Sequence, residues 1–449
     1  MSVLAGKTIV LGVSGGIAAY KAAELVRLLV TSGANVRVMM TRNATEFIAP
    51  LTLQTLSSNP VATDTFSLTQ ESQIGHIRLA DSADAIVIAP ATADVIAKAS
   101  VGIADDILTT VLLATRAKVA FAPAMNVHMY EHPTVAENLA RLRSRGVTII
   151  DPAAGALACG YEGMGRLPDP ATIVSEIERM LSAQDLASEN ILVTAGPTQE
   201  AIDPVRFVSN RSSGKMGFAI ARAAWRRGAN VKLVAGPSSL ATPYGAERID
   251  ILSAAQMLDA TSRNFPWCTT LVMAAAVADF RPANPASGKI KKDARGLQLA
   301  MESIGDEMPR LAAKKGSRLL VGFAAETDQL EDNARGKLKR KGLDLIVAND
   351  VTEPGAGFSV DTNIVTLIGA DGDARRHPQM SKDAVADLIL DRVIAMRDAI
   401  KPRGAKPKPS PKSARWSSAD SSPGWHGSCC TWSIWSDSVG RSPHCCPGR

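Results

Sequence analysis

Three residues in the first half of the chain have the type and setting that chemistry requires. Cys159 lies in Ala158-Cys159-Gly160-Tyr161-Glu162-Gly163-Met164-Gly165-Arg166-Leu167, a run with three glycines and little propensity for regular structure. A thiol on such a loop is well placed to be mobile and exposed, as a proton donor needs to be. His76 lies in Ile74-Gly75-His76-Ile77-Arg78-Leu79, and Asn126 in Pro123-Ala124-Met125-Asn126-Val127-His128-Met129-Tyr130, directly after an apolar run. Taken singly, His76 reads equally as a satisfied core histidine and Cys159 as an inert small apolar residue.

The second half carries a different set. Thr194-Ala195-Gly196-Pro197-Thr198-Gln199-Glu200 follows an apolar run, and Asp203 to Gly217, containing Arg206, Asn210 and Ser212-Ser213-Gly214-Lys215-Met216-Gly217, leads into a helical pattern. Gly214-Lys215 suggests a P-loop, but Ser209 stands where its first glycine belongs and Met216 replaces the Ser/Thr that would hold magnesium. The segment is a phosphate-friendly loop of another kind. Ala274 to Pro282 closes a further strand with Asp279 and Arg281, and Lys289-Ile290-Lys291-Lys292 is a short basic cluster. Such a cluster is usually a solvated charge run. A triphosphate site needs cations from several segments, which gives Lys289 weight beside Arg206, Lys337 and Lys341.

These residues need elements to position them. Short apolar runs alternate with amphipathic stretches, the pattern of parallel sheets covered by helices. Strands are predicted over Lys7–Val13, Asn35–Met40, Ala85–Ala89, Lys118–Ala122 and Val147–Ile150, with a helix over Ile17–Leu29. The alternation pauses in the small polar stretch 183–189, the predicted linker. It resumes with strands over Asn190–Ala195, Asn230–Val234, Leu271–Ala275, Arg318–Phe323 and Leu343–Ala348, and with helices near Met216–Arg227 and Asp328–Lys341. The reading is an α/β protein of two doubly wound parallel-sheet domains, 1–182 and 190–400.

Gly12-Val13-Ser14-Gly15-Gly16 sits where the first strand turns into the first helix. Glycines let backbone approach a phosphate, and a helix start offers free N–H groups. The dinucleotide spacing is absent, so a mononucleotide such as FMN fits better than NAD. Thr41 follows the second strand. Pro90-Ala91-Thr92 follows the third, and Asp105 lies soon after, where open sheets bind ligands; each is also readable as a capping residue.

The formal charge of +6 belongs to the tail: residues 401–449 carry eight Lys/Arg and two Asp, so residues 1–400 balance. The charge therefore gives no argument for nucleic acid. Four of the six cysteines are also in that tail, leaving Cys159 and Cys268, too few for a disulfide framework. The tail is rich in Pro, Ser, Lys, Trp and Cys, cannot build a core and is predicted to be disordered. No apolar run is long enough to span a bilayer and the N-terminus has no secretory pattern, so the cytoplasm is expected.

Ser14 to Lys21, His76, Pro123 to Tyr130 and Ala158 to Leu167, in that order, resemble the phosphopantothenoylcysteine decarboxylases, which are flavodoxin-like flavoproteins. The resemblance implies oxidation of a substrate cysteine by FMN at its thiol-bearing carbon, then loss of carbon dioxide. Transient oxidation provides the electron sink that a plain amino acid lacks. It implies His76 as base, Asn126 on the substrate carboxylate and Cys159 as proton donor. Ser14, Gly15, Gly16, Thr41, Pro90, Ala91, Thr92 and Asp105 would hold FMN.

Residues 190–395 are similar to the CTP-using phosphopantothenate–cysteine ligases, with a Rossmann-like fold. That implies magnesium-assisted attack of a phosphopantothenate carboxylate on the α-phosphate of CTP, then capture of the acyl-cytidylate by cysteine. Asn210 would contact the acyl group and Lys289 the transferring phosphate. Ala275, Asp279, Asp306, Phe323, Lys337 and Lys341 would complete the CTP pocket. The resemblance further implies a homo-oligomer with trimeric flavin domains and dimeric ligase domains. Alternatives are a regulatory flavoprotein and an enzyme with one live half.

Overall fold

The computed structural model describes residues 2–400 except 66–74, 157–159, 293–296, 306–307, 327–328, 351, 354, 356 and 358–359. Cys159, Asp306 and the tail predicted to be disordered lie outside the described residues.

Five apolar runs form the first sheet: β1 (Thr8–Val13), β2 (Asn35–Met40), β3 (Ala85–Ala91), β4 (Lys118–Pro123) and β5 (Thr148–Ile149). All pair in parallel, in the order β2-β1-β3-β4-β5. Every residue of β3 is buried, the mark of a strand covered on both faces. The order reverses between β1 and β3, and an open sheet binds its ligand at the carboxyl ends beside such a reversal. The predicted helix over Ile17–Leu29 begins as a 3-10 turn, Ile17–Lys21, and continues as an α-helix, Ala22–Thr31. An antiparallel hairpin follows the sheet, β6 (Ala153–Ala156) with β7 (Glu162–Arg166).

The remaining strands are β8 (Asn190–Ala195), β9 (Gln199–Ala201), β10 (Phe207–Ser209), β11 (Asn230–Ala235), β12 (Ala246–Asp250), β13 (Thr270–Met273), β14 (Phe280–Pro282), β15 (Met301–Ser303), β16 (Leu319–Glu326), β17 (Leu345–Asp350), β18 (Thr362–Gly369) and β19 (Ala374–Ser381). Eight of them form one sheet, β12-β11-β8-β13-β16-β17-β18-β19, and β9/β10 and β14/β15 are short hairpins. The first six strands of that order are parallel, and the reversal falls between β8 and β13. β18 and β19 run antiparallel, so the second sheet is mixed rather than purely parallel as the sequence suggested. The edge strand β19 is largely solvated and contains Pro378, which is why no apolar run announced it.

The predicted linker is packed. Leu186 is fully buried in the second core, and its N–H donates to the Arg227 carbonyl at 3.0 Å. Asp185 accepts from two nitrogens of the Arg227 guanidinium at 3.0 and 2.7 Å. Glu189 accepts from the Thr269 hydroxyl at 2.5 Å and pairs with Arg397 at 3.2 Å.

Arg397 belongs to the last helix, Lys382–Ile400, which packs along helix Lys215–Arg226. Asp383, Asp387 and Asp391 recur every four residues and share one face of it. They meet Arg222, Arg226 and Arg227 in turn, at 2.5 Å for the first pair and 2.7 Å for the last. Residues 1–400 accordingly form one compact unit.

Removing the Leu186 side chain leaves a cavity where the segment enters the core. Leu186→Ala is expected to cost roughly 3 kcal/mol, against under about 1 kcal/mol for Asp383→Ala at the exposed end of the helix, measured by thermal unfolding.

Candidate functional sites

The first site lies at the carboxyl ends of β1 and β3. Ser14 is fully buried; its hydroxyl donates to the Pro90 carbonyl at 2.7 Å and accepts from the Thr92 N–H at 3.0 Å. Ser14 thus ties the two loops across the reversal. Gly15 lies against Asn43, where an added Cβ would sit 2.3 Å from the Asn43 Cβ. A Cβ on Gly16 would lie 3.7 Å from Thr92. Thr41 follows β2, donates its N–H to the Val13 carbonyl and caps the turn Arg42–Glu46 through its side chain. Ser14, Gly15, Gly16, Thr41, Pro90 and Thr92 are therefore gathered at the carboxyl ends of β1, β2 and β3, with Ala91 ending β3. Asp105 instead pairs with Lys98 at 3.1 Å, raising that ammonium above its ordinary value with help from Asp94. Its neighbour Asp106 caps helix Ile107–Ala114.

The candidate catalytic residues lie on separate elements. His76 lies in helix Gly75–Ser82, and its Nδ1 is buried without a hydrogen-bond partner among the described residues. Asn126 caps helix Val127–Tyr130, its side-chain oxygen accepting from the His128 N–H at 2.8 Å. The hairpin that flanks Cys159 is held directly on this cap. Met125 donates to the Gly165 carbonyl at 2.9 Å, and a Cβ on Gly165 would lie 2.4 Å from the Met125 carbonyl oxygen. Glycine is required there, so β6 and β7 bring the chain on either side of Cys159 close to Asn126. Bare backbone at the carboxyl ends of a sheet reversal suits a flavin mononucleotide.

The second site is a cavity of about 810 Å³ lined by residues from β8, β13, β16 and the loops beyond them. Helix Lys215–Arg226 starts hard against β8, since a Cβ on Gly217 would lie 2.5 Å from the Ala195 Cβ. That contact brings Asn210 to Gly214 to the cavity. Asn210 donates its amide to the Val277 carbonyl at 2.9 Å. Ala275, Asp279, Phe323, Lys337 and Lys341 all line the same space, with Lys337 on Glu326 at 2.7 Å.

Lys289 is not in the lining. It lies on an exposed segment anchored by its neighbour Ile290, whose N–H meets the Asp203 carboxylate at 3.1 Å and whose carbonyl accepts from Arg206 at 2.7 Å. Burial raises the Asp203 carboxyl, but Arg206 and the backbone N–H groups of Val205, Ile290 and Arg206 outweigh it. They hold the carboxyl well below the usual carboxylate range. Arg206 is thus engaged in fixing this loop. Of Asp306 the structure says only that its neighbour Gly305 reaches the cavity.

Lys215, Lys382 and Asn363 also line the cavity and were missed in the sequence. Lys215 was discounted together with the failed P-loop, and no local pattern marks the other two. Among the described residues no group of three or more His, Cys, Asp or Glu could hold a metal, and no helix is long and apolar enough to cross a membrane.

Residues 2–182 match the family model described as Flavoprotein, and residues 186–396 match that of the DNA/pantothenate metabolism flavoprotein C-terminal domain. The Coenzyme A biosynthesis bifunctional protein CoaBC of Bacillus subtilis (strain 168) is 50% identical over 397 residues, covering 88% of this chain and 98% of the relative. That of Escherichia coli (strain K12) is 48% identical over 400 residues, with 88% and 98% covered.

The chain belongs to the CoaBC family.

As a CoaBC protein it is an enzyme with a decarboxylase and a ligase activity. The solved C-terminal domain of a CoaBC protein is 38% identical and covers 48% of this chain and 100% of that one, with a TM-score of 0.42. The two family matches adjoin at the packed segment around Leu186, and the tail beyond residue 400 is outside both.

Because Gly15 and Gly165 stand where no Cβ fits, Gly15→Ala is expected to lower the visible flavin absorbance per chain several-fold. Gly165→Ala is expected to spare flavin content and impair decarboxylation, since the hairpin lies on the Asn126 cap. Spectra and single-turnover carbon dioxide release on the same preparations check both.

Proposed function

We propose that this CoaBC protein joins phosphopantothenate to cysteine at the expense of CTP and then decarboxylates phosphopantothenoylcysteine to phosphopantetheine with FMN. The observation that carries the reading is the presence, in one chain of this family, of tightly packed glycine turns at the carboxyl ends of β1 and β3 and an 810 Å³ cavity bordered by lysines from separate elements.

In the ligase half, the phosphopantothenate carboxylate attacks the α-phosphorus of CTP, forming an acyl-cytidylate and releasing pyrophosphate. The cysteine amine then attacks the acyl carbon and CMP leaves. Asn210 faces the acyl group, and Ala275, Asp279, Phe323, Lys337 and Lys341 surround the nucleotide, with Asp306 beside Gly305. Magnesium accompanies the triphosphate, as it does where it is held through substrate phosphates.

In the decarboxylase half, Ser14, Gly15, Gly16, Thr41, Pro90, Ala91 and Thr92 hold FMN, and Asp105 acts from beside the cap of helix Ile107–Ala114. When bound, FMN supplies the acceptor for two electrons from the thiol-bearing carbon and later returns them. His76 serves as the base, the Asn126 amide binds the substrate carboxylate, and the Cys159 thiol donates the proton that completes the product. The exposed Tyr20, Phe47 and Leu51 of the first half, and Val205, Phe207 and Phe280 of the second, are apolar surface that a homo-oligomer would cover; the trimer of flavin halves and dimer of ligase halves is carried over from the family resemblance.

Purified protein given phosphopantothenate, cysteine, magnesium and CTP is expected to yield phosphopantetheine, carbon dioxide, CMP and pyrophosphate by mass spectrometry. Equal turnover with ATP would refute the nucleotide assignment, and arrest at phosphopantothenoylcysteine would leave only the ligase half active. Cys159→Ser is expected to release carbon dioxide yet accumulate the unreduced ene-thiol; ordinary turnover by that variant sinks its role as proton donor.

A further inference from the structure

A buried carboxylate on the wall of the ligase cavity has no part in the reading above. Glu200 lines the cavity from β9, whereas Lys337 and Lys341 border it from the end of helix Leu330–Arg340. Glu200 is only 6% exposed, and one of its carboxylate oxygens accepts from the Ala254 N–H at 2.8 Å. No cation and no further donor meets that carboxylate among the described residues. A carboxylate so deep is costly without a positive partner, and it repels phosphate. This part of the wall therefore suits a cationic group of a ligand.

The hairpin that carries Glu200 leads to Asn210. Glu200 pairs with Val208 and Gln199 with Ser209, and Asn210 stands one step beyond the ladder. Alternate residues of paired strands share a face, so Glu200 and Asn210 project to the same side, and both line the cavity. The hairpin is pinned where it meets helix Ala254–Asn264: Gln199 donates its N–H to the Leu252 carbonyl at 2.8 Å. That helix continues the wall with Met257, Leu258 and Thr261, and Met273 ends β13 beside them in the lining. Thr261 is 4% exposed, and its hydroxyl oxygen is buried without a hydrogen-bond partner among the described residues. A helical threonine commonly bonds a carbonyl of the preceding turn, and a buried hydroxyl left unpaired costs free energy that a ligand can recover.

We propose that Glu200 receives the ammonium group of the cysteine co-substrate, and that Thr261, Met257 and Met273 receive its thiol. The proposal rests on reading the ligase reaction as capture of an acyl-cytidylate by cysteine beside Asn210. The amine must reach the acyl carbon from a side that the phosphates do not fill, and the hairpin sets a carboxylate on the face that also presents Asn210. The ammonium gives one proton to Glu200, and the electron pair thus freed on nitrogen forms the bond to the acyl carbon. The bond from that carbon to the phosphate oxygen then breaks, and its electron pair leaves with CMP. The second proton lost from nitrogen goes to the departing phosphate. A thiol is a small, polarisable and weakly hydrogen-bonding group, so two methionines and one hydroxyl are a fitting surround for it.

Two readouts on the full chain separate the steps: pyrophosphate released from CTP and phosphopantothenate before cysteine is added, and CMP released afterwards. Glu200→Gln keeps an acceptor for the Ala254 N–H. It is expected to leave pyrophosphate release within about twofold of wild type and to raise the KM for cysteine about tenfold, the effect of losing one charge-assisted hydrogen bond. Hydroxylamine, an amine uncharged in neutral solution, is expected to trap the acyl-cytidylate equally well in both proteins. Thr261→Val is expected to raise the KM for cysteine about threefold without lowering Tm, whereas a purely structural threonine would move Tm and leave KM alone. Unchanged KM for cysteine in Glu200→Gln, or equal loss of pyrophosphate release and cysteine capture, overturns the subsite. If Glu200→Gln fails to fold, Thr261→Val decides alone, and an unchanged KM there overturns it. A wild-type chain that releases no pyrophosphate from CTP and phosphopantothenate overturns the ligase reading itself, a result distinct from failure of Glu200.

Discussion

Close approach of backbone to backbone at the carboxyl ends of the strands is the constraint on which both sites depend. At β1 the turn passes Asn43 so closely that a Cβ on Gly15 would sit 2.3 Å from the neighbouring Cβ, and at β8 the helix bearing Lys215 presses on Ala195 at 2.5 Å from the position of a Cβ on Gly217. Real atoms do not come so near, so only glycine permits either arrangement. The consequence is the same in both halves: peptide N–H groups and short side chains, rather than bulky ones, face the space above the sheet. What fills the rest differs. At the first site Ser14, Thr41 and Thr92 flank the turns, whereas the cavity of the second is bordered by several lysines. Under the proposed reading, similar backbone geometry serves a flavin in one half and a nucleoside triphosphate in the other.

The polar groups that fix these shapes are mostly turned towards the protein. Ser14 spends its hydroxyl on Pro90 and Thr92, Asn126 caps a helix, and Arg206 is engaged with Asp203 and Ile290. Each was a candidate for direct ligand contact on sequence grounds, and each also has a structural duty in the fold. The two functions are compatible, since a group held by a fixed partner presents its remaining donor or acceptor without the entropy cost of ordering.

Much of this was legible in the sequence where apolar runs are uninterrupted. The strands β1, β8 and β17 read directly from Val, Ile and Leu clusters, because parallel strands buried on both faces leave little room for polar residues. β12, Ala246–Asp250, and β19 were invisible for the opposite reason: they lie at the two edges of the second sheet and are solvated. The small polar stretch at 183–189 read as a linker because composition reports polarity but not partners. Its Asp185 and Glu189 find Arg227 and Arg397, and its single leucine fills the core. For the candidate sites, residues inside motifs were found, whereas Lys382 and Asn363 were not. They reach the cavity from beyond the last parallel strand, where only the tertiary fold relates them to Gly214.

The packed segment at Leu186 bears on how consecutive reactions could share one chain. A flexible tether would let a product swing from one sheet's crevice to the other's, but a segment tied to Arg227 and buried at Leu186 has no such freedom. The ladder from Asp383 to Asp391 along helix Lys215–Arg226 adds a second restraint on the same region, fixing the element that begins at Lys215 against the element that begins at Lys382. Under the proposed reading, phosphopantothenoylcysteine must therefore leave the ligase cavity and reach a flavin crevice by diffusion, in this chain or in another copy. Fusion then acts mainly by fixing the number of decarboxylase sites to the number of ligase sites and keeping them at high local concentration. The rigidity has its own use: the lysines of the ligase cavity, drawn from helices at opposite ends of the second half, keep their mutual distance only if those helices do not move apart.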